Sequence, residues 1–362
     1  MKNSKIPYFL NDQPIFGLDI GPSSLKVMQI ITSKSKNKDI RQIIGYGFTN
    51  FERSVIEDGV IIDTERIASS AHKLFKSGLI GNITTRRVAV AIPAYRTFTR
   101  SISLPNLKDK EIASAVRLEA EQYVSTPLDE LYLDYEIIKR TGDITDVFLV
   151  AVSRNIVDSY LKLTEILGLE PVLIEPTLSS SGRLFSIDPQ NDLATVIIDF
   201  GSRSADISIF DKHVLATGTV QAGGEVFTNA IKEKLNISLA EAGLIKTKYG
   251  LQVSKKQSLI KEALQPILNG VIKEVERMMR YYEERYGNVR PINQIVLLGG
   301  GANMPGLGDY LTNSIRLPVR HTDPWQYIDF KGLQPPSVAD KPMYATVAGL
   351  ALTNPKKVFN ND

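Results

Sequence analysis

Two aspartates, Asp19 and Asp199, each close an apolar run immediately before a glycine turn, in the strings DIGPSS and DFGSRS. A carboxylate so placed can hold a hydrated Mg2+ against a polyphosphate, because magnesium keeps most of its waters and takes one or two carboxylates beside phosphate oxygens. The turns suit the same ligand: glycine removes a side chain where phosphate must come close, and serine adds a short hydroxyl donor. Lys26, two residues past Ser24 on the outgoing strand, can counter phosphate charge as a point cation; otherwise it is a solvated strand lysine.

Either turn alone reads as an ordinary hairpin, and either aspartate as a turn cap. Their pairing changes the reading. Phe16 to Ile30 (FGLDIGPSSLKVMQI) aligns with Val196 to Phe210 (VIIDFGSRSADISIF), matching Asp19 with Asp199, Gly21 with Gly201 and Ser24 with Ser204. This predicts an internally duplicated lobe whose two hairpins bring carboxylates to opposite sides of one polyphosphate. A third glycine loop, Gly299-Gly300-Gly301-Ala302, follows an apolar strand at Gln294 to Leu298 and precedes a helix at about Pro305 to Ser314, an order that aims backbone N–H groups at an anion.

The elements that must carry these loops follow from periodicity. Ile15 to Ile20, Leu25 to Ile31 and Ile40 to Phe48 read as strands, and Asp63 as the N-cap of a helix with Ile67, Ala71, Leu74 and Phe75 on one face. Arg87 to about Val172 reads as a separate unit of strand Val88 to Ile92, helix Lys108 to Tyr123, strands Leu131 to Ile138 and Val147 to Val152, and helix Asn155 to Leu167. That βαββα order predicts an inserted α+β subdomain. The later strands Thr195 to Phe200, Asp206 to Phe210 and Val214 to Val220 lead into helices at Gly224 to Leu235, Ser238 to Lys248 and Leu259 to Arg285, and Tyr344 to Leu352 closes the chain as a helix. The expected organisation is a first lobe of 1–86, 173–192 and 344–362, an insert of 87–172, and a second lobe of 193–343 with a helical subdomain at about 224–290.

Composition narrows the function. At 362 residues the chain exceeds one ordinary core, so two lobes are expected. Forty-three basic against forty acidic residues leave +3, too balanced for the counterion release that drives general nucleic-acid binding. The absence of cysteine excludes disulfides, thiolate metal sites and cysteine nucleophiles. His72, His213 and His321 are scattered without metal-ligand spacing. No apolar run approaches the ~20 residues of a membrane span and the N-terminus has no signal-peptide core, so a cytoplasmic location is expected, with the membrane reached only through partners.

The paired DIGPSSLK and DFGSRSADI, with GGEVFTNAI and LLGGGANMPGL, resemble the phosphate and adenosine motifs of the actin, sugar-kinase and heat-shock ATPase superfamily. Within it, AIPAYRTFTRSISLP, RLEAEQYVSTPLDELYLDYEII and LVAVSRNIVDSYLKL resemble the PilM family of type IV pilus assembly proteins, over about Gly17 to Leu352. The resemblance implies an α/β, actin-like (ribonuclease H-like, duplicated) two-lobe ATPase fold with an FtsA-type inserted α+β subdomain. It implies phosphate contacts from Gly21, Ser23, Ser24, Lys26, Gly201 and Ser202, and magnesium at Asp19 and Asp199. Nucleoside contacts fall on Gly223, Gly224, Lys246, Gly300, Gly301 and Asn303, and the cofactors are ATP and Mg2+.

Two departures stand out. Where the family carries an acid able to reach ribose before Lys246, this chain has Gly243, which implies either weaker nucleotide binding or compensation by Glu241; and Tyr123-Val124-Ser125-Thr126-Pro127 replaces the usual Ile-Pro-Phe-Pro. The resemblance also implies a partner, the short cytoplasmic N-terminal peptide of an inner-membrane PilN-like protein, held in a groove beside the insert, with other pilus motor or platform components possible. Leu118, Tyr123, Leu131 and Tyr135 are expected to be core of the insert itself, with a role in that groove as the alternative.

Beyond the two aspartates, no Gln, Glu or His stands near either hairpin to orient a water on the γ-phosphate, so at most slow ATP hydrolysis is expected. An ATP-dependent adaptor is therefore the leading reading. Its rivals are an FtsA-like division actin, which usually adds a C-terminal membrane helix, a type II secretion adaptor, which usually continues into a transmembrane segment, and a sugar or acyl-phosphate kinase, which needs a general base in a substrate pocket.

Overall fold

In the computed structural model, which describes residues 13–35, 38–187, 193–287, 290–321, 324–338 and 340–359, the chain opens with β1 (Phe16–Ile20), β2 (Ser24–Ser35) and β3 (Lys38–Asn50). A small ladder of β4 (Ile56–Glu57) and β5 (Val60–Ile61) leads to α1 (Thr64–Lys73), β6 (Ile80–Gly81) and β7 (Arg87–Ile92). Asp63 does cap α1, accepting a hydrogen bond from the Arg66 N–H at 3.1 Å. Next come β8 (Thr97–Pro105), α2 (Asp109–Tyr123), β9 (Leu131–Thr141), β10 (Ile144–Ser153), α3 (Arg154–Ile166), β11 (Glu170–Pro176) and α4 (Thr177–Phe185). The second half holds β12 (Thr195–Phe200), β13 (Ala205–Asp211), β14 (His213–Val220), α5 (Gly224–Leu235), α6 (Leu239–Lys248) and α7 (Gln257–Tyr286). It ends with β15 (Gln294–Leu298), α8 (Leu307–Ile315), β16 (Val319–His321), α9 (Ala345–Ala351) and α10 (Pro355–Phe359).

The duplication seen in the sequence extends to the sheets. The first has strand order β11-β7-β1-β2-β3-β6 and the second β14-β13-β12-β15-β16. In each, a hairpin of antiparallel strands is extended by a third strand, while its first strand pairs in parallel with β7 or β15. Strands covered on both faces read as continuous apolar runs, which is why FGLDI and QIVLL are buried throughout. Helices α4 and α9 lie between the sheets, where a shared cluster joins Met28, Ile30 and Tyr46 of one to Ile197, Phe210 and Val296 of the other. The contact is close: a Cβ on Gly349 of α9 would sit 1.9 Å from the Ser180 carbonyl oxygen of α4.

The insert differs from the expected βαββα unit. Thr97–Pro105 is an additional strand, and the small sheet runs β8-β10-β9 with α2 across one face. Its alternation, with Phe98, Ile102 and Leu104 toward α2, is interrupted by Arg100, which instead lies over the Tyr123 ring at 3.7 Å. The strand Arg87–Ile92, expected inside the insert, belongs to the first sheet, as does Glu170–Pro176, which straddles the expected boundary at 172, and Ile156, Val157, Tyr160 and Leu163 of α3 fill the core beneath it. The small sheet therefore begins at Thr97 and ends at Ser153. The expected boundaries at 188–192 and 360–362 fall outside the described residues.

The insert rests on the second lobe. Ser101 Oγ donates to the Leu215 carbonyl at 2.6 Å, and Arg285 at the end of α7 donates to Ser103 Oγ at 2.8 Å. Within the insert Leu131 is buried and Tyr135 packs against the core, but Leu118 and Tyr123 face solvent, against the expectation that all four belong to its interior. Helix α7 reaches from the helical subdomain to the insert; Ile260, Leu264, Leu268, Val271, Val275 and Met278 form its buried stripe at helical spacing.

Candidate functional site

The two hairpins close the same way. The Gly21 N–H donates to the Ser24 carbonyl at 2.8 Å, and the Gly201 N–H to the Ser204 carbonyl at 2.9 Å. Each turn leaves its remaining N–H groups and serine hydroxyls at the end of a buried strand. Both border one cleft of 460 Å³ between the lobes, lined by Asp19, Gly21, Ser23, Ser24 and Lys26 on one side and Asp199, Gly201 and Ser202 on the other.

The acids of the two hairpins have opposite partners. Asp19 faces Lys26 across β1 and β2, and Lys26 Nζ donates to Asp19 Oδ2 at 3.0 Å with both groups almost buried. In the equivalent register of the second hairpin, Asp199 faces Asp206. Burial pushes the Asp199 carboxyl up to about 7; Asp206 and Asp19 raise it further and Lys26 opposes them. Burial likewise pushes Asp206 up to about 6, although the Thr219 hydroxyl, donating at 2.7 Å, favours its charged form. One hairpin is neutralised by the chain's own lysine, while the other is a pair of acids short of positive charge.

The floor is the third glycine loop. Gly299 has φ +79°, and a Cβ there would lie 2.2 Å from Asp199 Oδ1, so only glycine lets the loop pass beneath that carboxylate. Gly300 and Gly301 line the cleft, and nothing approaches the place where a Gly300 Cβ would stand. Opposite them is the N-terminus of α5, stapled to the second hairpin by Gly224 N–H to Gly201 carbonyl (2.9 Å) and Glu225 N–H to Ser202 carbonyl (2.8 Å). Lys246 reaches over from α6 to donate to the Gly224 carbonyl at 2.7 Å; burial lowers its pKa, against the pull of Glu225.

Twelve of the fourteen residues singled out from the sequence line this cleft. Gly223 lies behind the second hairpin, against the backbone of Ser202 and Arg203. Asn303 lies on the far side of the glycine loop, bordering a second cavity of 500 Å³ with Met304, His321 and Trp325. Glu241 does not take up the ribose role that Gly243 leaves open: its carboxylate accepts from Ser238 N–H (3.0 Å) and Oγ (2.8 Å), completing the N-terminal capping box of α6.

Other cleft residues were not evident from the chain alone. Glu225 accepts from Ser202 Oγ and from Arg53 Nη1, the latter at 2.8 Å, joining the lobes at the cleft. Asp206, Tyr95 and Arg203 also line the wall. Asp206 had a signal, because the internal alignment sets it opposite Lys26; Glu225 had only its position after the Gly-Gly pair; Arg53 had none. Glu175, beside the cleft at the end of β11, is committed to a bidentate pair with Arg183 at 2.7 Å for both bonds.

Among the described residues no group of three metal-ligating side chains occurs. The donor set still fits magnesium of the hydrated kind: hard carboxylate oxygens on each hairpin, Asp199 facing Asp206 rather than a cation, and room for waters and phosphate between them.

Comparison with known proteins agrees with this architecture. The chain is 25% identical over 354 residues to the cell division protein FtsA of Bacillus subtilis (strain 168), covering 85% of this chain and 79% of that protein. The structure of the PilM-PilN type IV pilus biogenesis complex superposes with a TM-score of 0.78 at 23% identity, covering 96% of this chain and 99% of that one. MreB5 of Spiroplasma citri bound to AMPPNP superposes at 0.52 with 13% identity, covering 93% and 95%. The fold is therefore actin-like. The sequence pattern of the type IV pilus assembly protein PilM matches residues 17–355, spanning both hairpins, the insert and the glycine loop, and the chain belongs to that family.

Proposed function

We propose that this protein is an ATP-binding, actin-like adaptor of type IV pilus assembly, working at the inner face of the cytoplasmic membrane, that docks the cytoplasmic N-terminal peptide of an inner-membrane PilN-like protein. The observation that carries the nucleotide half is the convergence of Gly21, Ser23, Ser24, Lys26, Gly201, Ser202, Gly300 and Gly301 on one cleft between two lobes. The hairpins hold the phosphates and Gly224, Lys246 and the glycine loop face the nucleoside. Magnesium bound with ATP supplies the positive charge that Asp199 and Asp206 lack. A ligand touching both hairpins favours the closed arrangement of the lobes, which is how nucleotide would govern the adaptor.

Turnover is slow in this reading. Among the described residues lining the cleft there is no glutamine or histidine, Glu225 is engaged by Ser202 and Arg53, and Glu175 by Arg183. The peptide half rests on family membership and on the insert, where Leu118 and Tyr123 are exposed and the divergent segment Val124–Pro127 borders a hollow of 330 Å³ with Arg117 and Asp129.

Calorimetry tests both halves. ATP should bind in the presence of Mg2+ and lose affinity in Asp19→Ala and Asp199→Ala; no magnesium-dependent binding, or unchanged binding in both variants, removes the nucleotide reading. A synthetic peptide from the N-terminus of a PilN-like protein should bind the full chain and lose affinity in Leu118→Asp. The similarity to FtsA supports a division-actin reading, which prevails if native membranes yield division-ring proteins and no pilus components.

A further inference from the structure

The helical subdomain carries a surface that neither nucleotide nor the insert uses. Between Leu239 and Lys261 the chain has five lysines and one glutamate, against a nearly neutral whole. Lys246 turns into the cleft, but Lys248, Lys255, Lys256 and Lys261 do not line it. Interleaved with them are large apolar side chains in water: Val253 is 93% exposed, Leu244 69% and Leu239 53%, with Leu259 and Tyr249 also outward. Single exposed apolar residues are ordinary, but this stretch concentrates them among like charges.

The arrangement is continuous along the chain. Leu244 and Lys248 share a face of α6 at i, i+4 spacing, and Lys248 Nζ lies 5.4 Å from the Tyr249 ring. The turn after α6 is fixed by Gln252 N–H to Tyr249 carbonyl at 3.0 Å and Leu251 N–H to Pro305 carbonyl at 2.7 Å, while buried Leu251 anchors it. Val253, Lys255 and Lys256 thus sit on a supported turn. None of Leu244, Val253, Leu259, Lys255 or Lys256 lines a cavity bordering the nucleotide cleft, the insert or the Asn303 loop. Lysines alternating with exposed apolar tips match a surface that is anionic outside and apolar beneath.

We propose that this patch, centred on Leu244, Val253, Lys255 and Lys256, binds an anionic lipid surface directly, the lysines meeting lipid headgroups and the apolar tips entering the interface. The patch lies at the N-terminal end of the 30-residue α7, whose other end meets the insert. At a rise of about 1.5 Å per residue the helix spans roughly 45 Å, which separates the patch from the insert. The protein would then touch the membrane itself rather than only through partners.

Flotation of the full chain with vesicles tests this. Binding should be strong with phosphatidylglycerol-containing vesicles, weak with pure phosphatidylcholine, and reduced by 0.5 M salt. At about a fivefold affinity per lysine near a charged bilayer, Lys255→Gln with Lys256→Gln should weaken binding roughly twenty-five-fold. Val253→Asp and Leu244→Asp should each weaken it while leaving ATP affinity unchanged, since both side chains are already in water. Equal binding to the two vesicle types, absence of binding, or full binding by the double variant overturns the proposal. So does sedimentation showing that the same substitutions abolish self-association without affecting lipid, which would assign the patch to a second copy.

Discussion

Asp206 stands opposite Asp199 in the register position where Lys26 stands opposite Asp19. The duplicated hairpins are therefore alike in backbone and opposite in charge. One is self-neutralised, and the other becomes favourable only with a proton or a cation.

This relationship fixes a pH dependence. An acid with a folded pKa above its unfolded value stabilises the fold fully below the unfolded value and loses that contribution as pH rises through the folded one. With Asp199 at about 7 and Asp206 at about 6, stability of the nucleotide-free protein should fall from pH 5 to pH 8. Thermal denaturation at fixed ionic strength reads it, and Asp199→Asn should flatten the profile and raise the melting temperature at pH 8. A profile that rises through this window in the parent protein removes the like-charge argument.

The same pair predicts proton release on ligand binding. At pH 6.5 Asp199 is largely protonated, so adding MgATP should expel protons, and affinity should increase toward pH 8. Calorimetry in two buffers of different ionisation enthalpy measures the number. Proton uptake would contradict it.

Lys26→Met should cost both binding and stability. It leaves Asp19, almost buried, without its partner at 3.0 Å, a loss of about 1–3 kcal/mol once residual solvent contact is allowed for. ATP affinity should drop at least tenfold, because the lysine would also serve the phosphates. Urea denaturation and calorimetry separate the two effects; an unchanged denaturation midpoint would mean the pair is already hydrated.

Arg53→Ala should act on exchange rather than on stability. Its pair with Glu225 bridges the lobes but is substantially exposed, so the fold should lose no more than about 1 kcal/mol. Removing the link eases opening and should speed release of a fluorescent ATP analogue severalfold in stopped-flow. The same release rate in Arg53→Ala and the parent would show that the bridge does not restrain the cleft.

Gly349→Ala tests the shared core. A Cβ 1.9 Å from the Ser180 carbonyl forces α9 away from α4, and overpacking of this kind costs about 1–3 kcal/mol or more. Loss of soluble protein or a strongly lowered denaturation midpoint is expected, whereas a fully stable variant would show that the two helices can slide.

Much of this molecule was legible along the chain. The hairpins, the strand-led glycine loop, the helix cap at Asp63 and the duplication are local: each depends on turn residues and on periodicity within a few positions, where backbone sterics and burial leave few alternatives. Twelve of fourteen candidate site residues came together because a duplicated strand–turn–strand places equivalent loops at the same end of equivalent sheets. The residues that escaped depend on distance in sequence. Arg53 meets Glu225 across 172 positions, a contact created only when the lobes dock. The sheet to which Arg87–Ile92 belongs is set by its parallel pairing with β1, not by its own apolar pattern, which any buried strand would share. Glu241 had the chemistry to approach ribose, but the start of α6 claimed its carboxylate. Turn residues and their repetition along the chain mark the loops that could receive a phosphate; folding decides which carboxylates around them are neutralised by the chain and which lack a cation, because strand register sets Lys26 against Asp19 but Asp206 against Asp199, and docking of the lobes brings Arg53 to Glu225.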